Sequence, residues 1–320
     1  MLMEANRGKK HILVPFDRAD SSGNFSLNGL TEGRYDVVAR AITSSFFYSC
    51  GVRCDVSMSL SLGPSSVDGL RKTVRIDGSE VKHLRPDERT VCSLLQRLLG
   101  GNAPEKQSSK QKEAHRRVPN MIKNKDASDR CLAGWRVYPH SFEVEVAAVI
   151  EDLLTRNCSN NEGPFSVSGD VDTETLSNPP PPVPALSLSE GELPVCVLYL
   201  MEDGQPLFEL LTGLQNRNRN RNRSPQHACA STSAEEHSTS GIHISHRTNF
   251  LIILGDDRGL SGNQEEELYR VLFGERGTTD TDGVTCFPGV SFHRCCIGKR
   301  PLLASQCILL TLHIIESVFP

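Results

Sequence analysis

Two stretches near the end of the chain decide how it folds: Asn249-Phe-Leu-Ile-Ile-Leu-Gly-Asp256 and Cys296-Ile-Gly-Lys-Arg-Pro-Leu-Leu-Ala-Ser-Gln-Cys307. The first is a continuous apolar run that stops at a glycine. Such a run reads as a strand buried on both faces, and Gly255 marks where backbone turns or comes close to something. The second follows a short strand, Val290 to Phe292, and runs into an apolar helix, Leu302 to Ser317. Two strand ends, each leading to a helix, predict an open α/β sheet whose ligands bind beyond the carboxyl ends of the strands. Neither stretch carries a Gly-rich phosphate loop.

Working outward, His11-Ile-Leu-Val-Pro-Phe16 reads as a strand. Tyr35 to Cys50 carries a helical stripe of Val37, Val38, Ala41, Ile42 and Phe46. Asp55 to Leu62 alternates as a strand, and Lys72 to Ile76 follows as another before an Asp77-Gly78 turn. Pro86-Asp-Glu-Arg opens a helix that ends at Gly100-Gly101, its acidic first turn suiting the helix dipole. Ser141 to Leu154 is an amphipathic helix, Val195 to Leu200 a buried strand, and Glu265 to Phe273 a helix. Between these lie segments poor in apolar periodicity. Residues 102–130 are polar and basic, 157–192 hold Pro179-Pro-Pro-Pro-Val-Pro184, and 212–247 hold Asn216-Arg-Asn-Arg-Asn-Arg-Asn-Arg223. They read as disordered insertions, because long surface loops add little closure entropy.

Composition agrees with a modest core inside a longer chain. Of 320 residues 38% are hydrophobic, with one Trp and five Tyr, so the folded part should be about 200 residues. The net charge of −4 excludes a uniformly basic nucleic-acid protein. Yet Arg71, Lys72, Arg75, Lys82, Arg85 and the run from Lys106 to Arg130 are locally basic, the pattern of a protein gripping one compact RNA. The opening residues have no apolar core and no run approaches the length needed to span a bilayer, so the expectation is a cytoplasmic protein with no membrane association. The eleven cysteines then read as reduced thiols packed as small hydrophobes. Cys50-x-x-x-Cys54 and Cys295-Cys296 lack a second ligand pair at finger spacing, so no metal is expected.

Several motifs in register resemble one family. Ile253-Leu-Gly-Asp256 and Ile297-Gly-x-x-Pro-Leu-Leu-Ala-Ser-Gln-Cys-Ile308 resemble the C-terminal signature of the SPOUT methyltransferases, closest to the archaeal-type tRNA (pseudouridine(54)-N(1))-methyltransferases. Gly33-Arg-Tyr-Asp36, Ser45-Phe-Phe47, Val52-Arg-Cys-Asp-Val56 and Asp77-Gly-Ser-Glu-Val-Lys-x-x-x-Pro-Asp-Glu-Arg89 fall in the same order. The resemblance implies a single α/β domain over 11–320 with a C-terminal deep trefoil knot. It implies S-adenosyl-L-methionine as cofactor, tRNA as substrate, a homodimer, and methylation of N1 of pseudouridine at position 54 of the T loop. The runners-up are a ribosomal-RNA pseudouridine N1-methyltransferase and a knotted RNA-binding protein without catalysis.

The resemblance also implies a site. Leu200, Gly255, the loop Ile297, Gly298, Lys299, Arg300, Pro301 and Leu302, and Cys307 on the last helix would hold the cofactor. Glycines would admit its backbone-bound portions while Leu200, Ile297 and Leu302 sandwich the purine, so a valine at 255 should block binding and spare the fold. Arg34 and Asp36 match an Arg-x-Asp at the start of the first helix and are the catalytic candidates; a salt bridge with a helix cap is their alternative reading. Arg53, Arg71, Arg85 and Arg89 are candidate RNA contacts. Ser305 and Gln306 depart from the family's Asn/His pair, and Lys299-Arg300 from its Pro-Leu. The apolar stripe of Leu302, Leu303, Cys307, Leu310, Ile314 and Ile315, with Phe46, Phe47 and Tyr48, is wide enough to predict a two-fold interface.

Overall fold

The computed structural model describes residues 7–48, 51–82, 84–100, 132–159, 195–221, 244, 247–256, 258–274, 285–298 and 302–320. Its elements are β1 (Lys10–Asp20), α1 (Tyr35–Phe46), β2 (Phe47–Tyr48), β3 (Gly51–Val52), β4 (Val56–Gly63), β5 (Thr73–Asp77), α2 (Glu88–Leu98) and β6 (Trp135–Tyr138). They continue with α3 (Phe142–Ser159), β7 (Val195–Pro206), α4 (Leu207–Arg221), β8 (Asn249–Leu254), α5 (Gly262–Phe273), β9 (Val290–Cys296) and α6 (Ala304–Val318). The main sheet has the order β6-β5-β4-β1-β8-β7-β9. Its five strands β4, β1, β8, β7 and β9 pair in parallel, while β5 and β6 add antiparallel at one edge.

Both faces are covered, as an open parallel sheet requires. Helices α1, α2, α4 and α6 pack on one face, and α3 and α5 on the other. Strand β4 shows how the sequence divides between them. In Val56-Ser-Met-Ser-Leu-Ser-Leu-Gly63 the apolar residues Met58, Leu60 and Leu62 point into the larger core. The alternate serines 57, 59 and 61 face the α3 side, all but excluded from water. There Ser57 and Ser59 meet both ring nitrogens of His11 at 2.7 and 2.8 Å. Ser59 also donates to the fully buried Glu145 at 2.6 Å. Glu145 takes further bonds from Arg75 (2.9 and 2.7 Å) and meets His140 Nδ1 at 3.0 Å. A buried carboxylate survives only when so surrounded. Glu145, on the helix read as amphipathic, is thus the centre of a polar core.

Several boundaries differ from the sequence reading; α3, for one, runs to Ser159, past the expected end at Leu154 and into the stretch read as an insertion from residue 157. Helix α4 continues from Leu207 to Arg221, into the stretch read as an insertion from residue 212. Leu207, Leu210, Leu211 and Leu214 recur at helical spacing and are buried, so tertiary packing carries the helix past the polar Asn/Arg composition. Strand β7 does not stop at Leu200. It bulges over Met201–Gly204 and returns to pair Gln205 with Cys295 and Pro206 with Cys296. The reading of 102–130, and of 160–192 and 222–243, as insertions lies outside the described residues. Among the described residues no helix is long and apolar enough to cross a membrane.

Candidate active site

Leu200, at the end of the regular part of β7, pairs with Leu254 on β8 and with Cys295 on β9. Strands β8 and β9 thus end beside the bulge of β7, and the loops that leave β8 and β9 start at Gly255 and Ile297. Leu200 and Ile297 belong to the core cluster under this edge, as does the half-buried Cys307 of α6. Leu302 and Leu303, which lead into α6, are exposed. Gln306 closes this turn by accepting from the Leu303 amide at 3.0 Å, a structural task for a residue that departs from the family pattern. The Cys307 thiol lies 3.9 Å from Leu302 O, and burial raises its pKa, so it is held as a thiol and not as a nucleophile. Lys299, Arg300 and Pro301 lie outside the described residues.

The two glycines of this edge behave differently. A Cβ on Gly255 would sit 1.9 Å from the Gly259 carbonyl carbon, so residue 255 is a glycine because the chain folds back on itself there. Asp256 and Gly259 form an isolated bridge across the turn, and Asp256 accepts from the Arg258 amide at 2.9 Å. A valine at 255 would therefore disturb the turn itself, contrary to the expectation that it would leave the fold intact. Among the described residues no atom lies within 4 Å of a Cβ added at Gly298, so on their side its face is open.

The second constellation lies at the start of α1. Arg34 is the single described non-glycine residue with positive φ (56°), a left-handed conformation that costs an L-residue about 1–2 kcal/mol. Neighbouring contacts hold it: the Tyr35 amide donates to Leu30 O at 2.9 Å, the Tyr35 ring stacks on Phe25 at 3.6 Å, and its hydroxyl donates to Asp20 O. Burial pushes the Tyr35 hydroxyl pKa upward, which keeps it a donor. Arg34 makes no side-chain cap, which leaves of the alternative reading only the salt bridge, Nε to Asp36 Oδ1 at 3.6 Å. Asp36 is 9% exposed; Arg40 grips its Oδ2, whereas Oδ1 accepts no hydrogen bond. Because Tyr35 is tied to the carboxyl end of β1, which runs parallel to β8, Arg34 and Asp36 occupy the same edge of the sheet as the strand-end loops.

The four candidate RNA contacts part company. Arg53 is 8% exposed and turned inward, which corrects its reading as a phosphate contact. Its Nη1 donates to Phe47 O at 3.1 Å and its Nε to Glu316 on α6 at 3.1 Å, compensating the carbonyl end of α1 and joining it to the last helix. Arg71, Arg85 and Arg89 are exposed. Arg71 bonds Asp17 at 2.7 Å, whose other oxygen takes Gln264 at 3.0 Å, so this basic group is tied to the start of α5. Arg89 reaches Asn28 at 3.0 Å. No local signal marked Arg53, because the β2–β3 hairpin returns it to the end of α1 from seven residues further on.

The chain thus combines an open, mostly parallel α/β sheet with an Arg-x-Asp pair on a strained helix start. Residues 10–126 match the family described as "Putative SAM-dependent RNA methyltransferase". A tRNA (pseudouridine(54)-N(1))-methyltransferase of Methanosarcina mazei is 38% identical over 96 residues, 29% of this chain and 44% of that protein. The enzyme of the same name from Haloferax volcanii is 36% identical over 92 residues, 28% of this chain and 43% of its own length. The chain thus spans less than half the length of these curated relatives. A crystal structure of Archaeoglobus fulgidus Nep1 bound to S-adenosylhomocysteine aligns over 98% of both chains at 9% identity, with a TM-score of 0.40 that bears no weight. The sequence matches thus liken residues 10–126 of this chain to SAM-dependent RNA methyltransferases.

Proposed function

We propose that this protein is an S-adenosyl-L-methionine-dependent RNA methyltransferase that methylates N1 of pseudouridine at position 54 of the tRNA T loop. The observation that carries this is the pairing of a buried carboxylate, Asp36, whose Oδ1 accepts no hydrogen bond, with Arg34 at the carboxyl end of the parallel sheet, where β8 and β9 end beside the bulge of β7. The activity for which the Methanosarcina and Haloferax relatives are named supports the choice of base and position. The strand-end edge fits the cofactor, since Gly298 is open and Leu200, Ile297 and Leu302 offer apolar surface beside backbone groups that strand pairing no longer uses. Gly255 shapes the turn next to them. Cys307 completes the described part of the proposed pocket.

The bound cofactor supplies an electrophilic methyl carbon on sulfur. The chain's own task is to bring N1 of the base in line with it, about 3 Å away, and to receive the N1 proton. Asp36 Oδ1 is the acceptor for that proton, and Arg34 stabilises the charge that develops on the base. A base splayed from a single-stranded loop can reach such an edge, with Arg71, Arg85 and Arg89 contacting phosphates. The same reading includes a single domain over 11–320, a threaded C-terminal segment between β9 and α6, and a homodimer. Exposed Leu309 and Leu310 on α6, Leu303 just before it and Tyr48 after α1 support that interface.

The test is methylation of a tRNA transcript carrying pseudouridine in its T loop, read by mass of the digested nucleosides. Asp36→Asn and Arg34→Ala should each slow turnover by on the order of a hundredfold, with cofactor affinity by calorimetry unchanged. Parent-like turnover in both variants would overturn the assignment.

A further inference from the structure

The same helix holds a third charged residue that the reading so far leaves unused. Arg40 lies one turn beyond Asp36 and grips it twice, Nη2 on the Oδ2 carboxylate oxygen and Nε on the backbone carbonyl at 3.1 Å. From the neighbouring helix Glu88 approaches the same guanidinium at 3.5 Å. The fork therefore fixes which oxygen of Asp36 is occupied and which is presented. It takes Oδ2 and leaves Oδ1, buried and without a hydrogen bond, facing Arg34. A carboxylate that is nine-tenths buried should recruit a donor for each oxygen, and an empty lone pair beside a cation is an arrangement prepared for an incoming N–H.

We infer that Arg40 is a positioning residue for methyl transfer, clamping the Asp36 carboxylate so that Oδ1 faces the proton on the acceptor nitrogen. This rests on the site reading above. Arg40 itself touches neither base nor cofactor: its guanidinium is committed to Asp36 and Glu88. An ordinary i,i+4 ion pair on a helix surface adds little to stability. A clamp that sets the direction of an acceptor acts on turnover, since small misplacements of reacting groups slow reactions by one to two orders of magnitude.

The experiment is steady-state kinetics on the full chain with the same pseudouridine-containing transcript, comparing parent, Asp36→Asn, Arg40→Gln, Arg40→Lys and the double variant Asp36→Asn/Arg40→Gln. Arg40→Gln should lower kcat on the order of tenfold while KM for RNA and cofactor affinity stay within about twofold. Arg40→Lys, which keeps the charge and loses the fork, should fall between the two. The double variant should be no slower than Asp36→Asn alone, because the clamp has no task once its carboxylate is gone. A loss carried by KM and growing with salt would make Arg40 an RNA contact and overturn the inference. An additive loss in the double variant would overturn it too. If Asp36→Asn is slow but Arg40→Gln turns over like the parent, the inference fails and the site reading stands; full turnover in Asp36→Asn removes both. Should Arg40→Gln not fold, Arg40→Lys carries the same split between kcat and KM.

Discussion

The loop after β8 and the loop after β9 leave neighbouring parts of one sheet edge, each begins at or near a glycine, and the two glycines answer to different demands. At Gly255 the chain doubles back so tightly that a methyl group would strike the Gly259 backbone. At Gly298 the equivalent methyl would meet nothing among the described residues. Sequence alone treats both as places where backbone approaches a ligand. The structure separates a glycine that serves the fold from one whose openness is left for something else, and the difference lies in what the rest of the chain puts beside each Cα.

The largest effect that would sharpen this contrast is Gly255→Val. With backbone and not a flexible side chain in the way, the turn must open. We expect a loss on the order of 3 kcal/mol, seen as a melting temperature lower by about 10 °C, with cofactor binding lost alongside. A variant that melts like the parent would erase the distinction. Gly298→Ala should do the reverse. Its melting temperature should stay within about 2 °C of the parent, because the methyl enters open space. Calorimetry should show S-adenosyl-L-methionine affinity falling about tenfold, the scale of one misfit group in a pocket; unchanged affinity would remove Gly298 from the proposed site.

The smallest effect concerns β9 itself, just before its loop. His293 Nε2 is buried without a hydrogen bond, and burial, with Arg217 of α4 adding to it, lowers the histidine pKa to about 4. Its folded pKa lies below its unfolded value, so the contribution is present above about pH 6.5 and is lost as pH falls from there toward 4. Urea midpoints measured at pH 7 and pH 5 should therefore drop more for the parent than for His293→Phe. Equal drops would place the acid sensitivity elsewhere.

Much of the fold was legible because period and punctuation report it directly. The run Phe250–Leu254 is apolar without alternation because it lies between β1 and β7 under helices on both faces. The Val56–Gly63 alternation reads as a strand whichever face is wet. What alternation could not disclose is that the serine face is also dry, because Glu145, 86 residues on from Ser59, closes over it. Helix α4 went unread in the sequence for a related reason. Its leucines form a helical stripe only once a sheet face is there to receive them, whereas its Asn/Arg composition is visible immediately.

The candidate site divides along the same line. Sequence by itself determined the residue types and their order: the Arg34-x-Asp36 pair, the glycine at a strand end, the apolar loop that enters the last helix. Those are local properties, set by chemistry within a few residues. Tertiary structure alone decided direction and burial. It turned Arg53 inward to the end of α1, filled the space beside Gly255 and emptied that beside Gly298, and left one oxygen of Asp36 bonded and the other bare. Each of those outcomes depends on which distant segment arrives next to a side chain. Contacts between residues far apart in the chain have no local signature, because they exist only after the sheet has brought its strands into register.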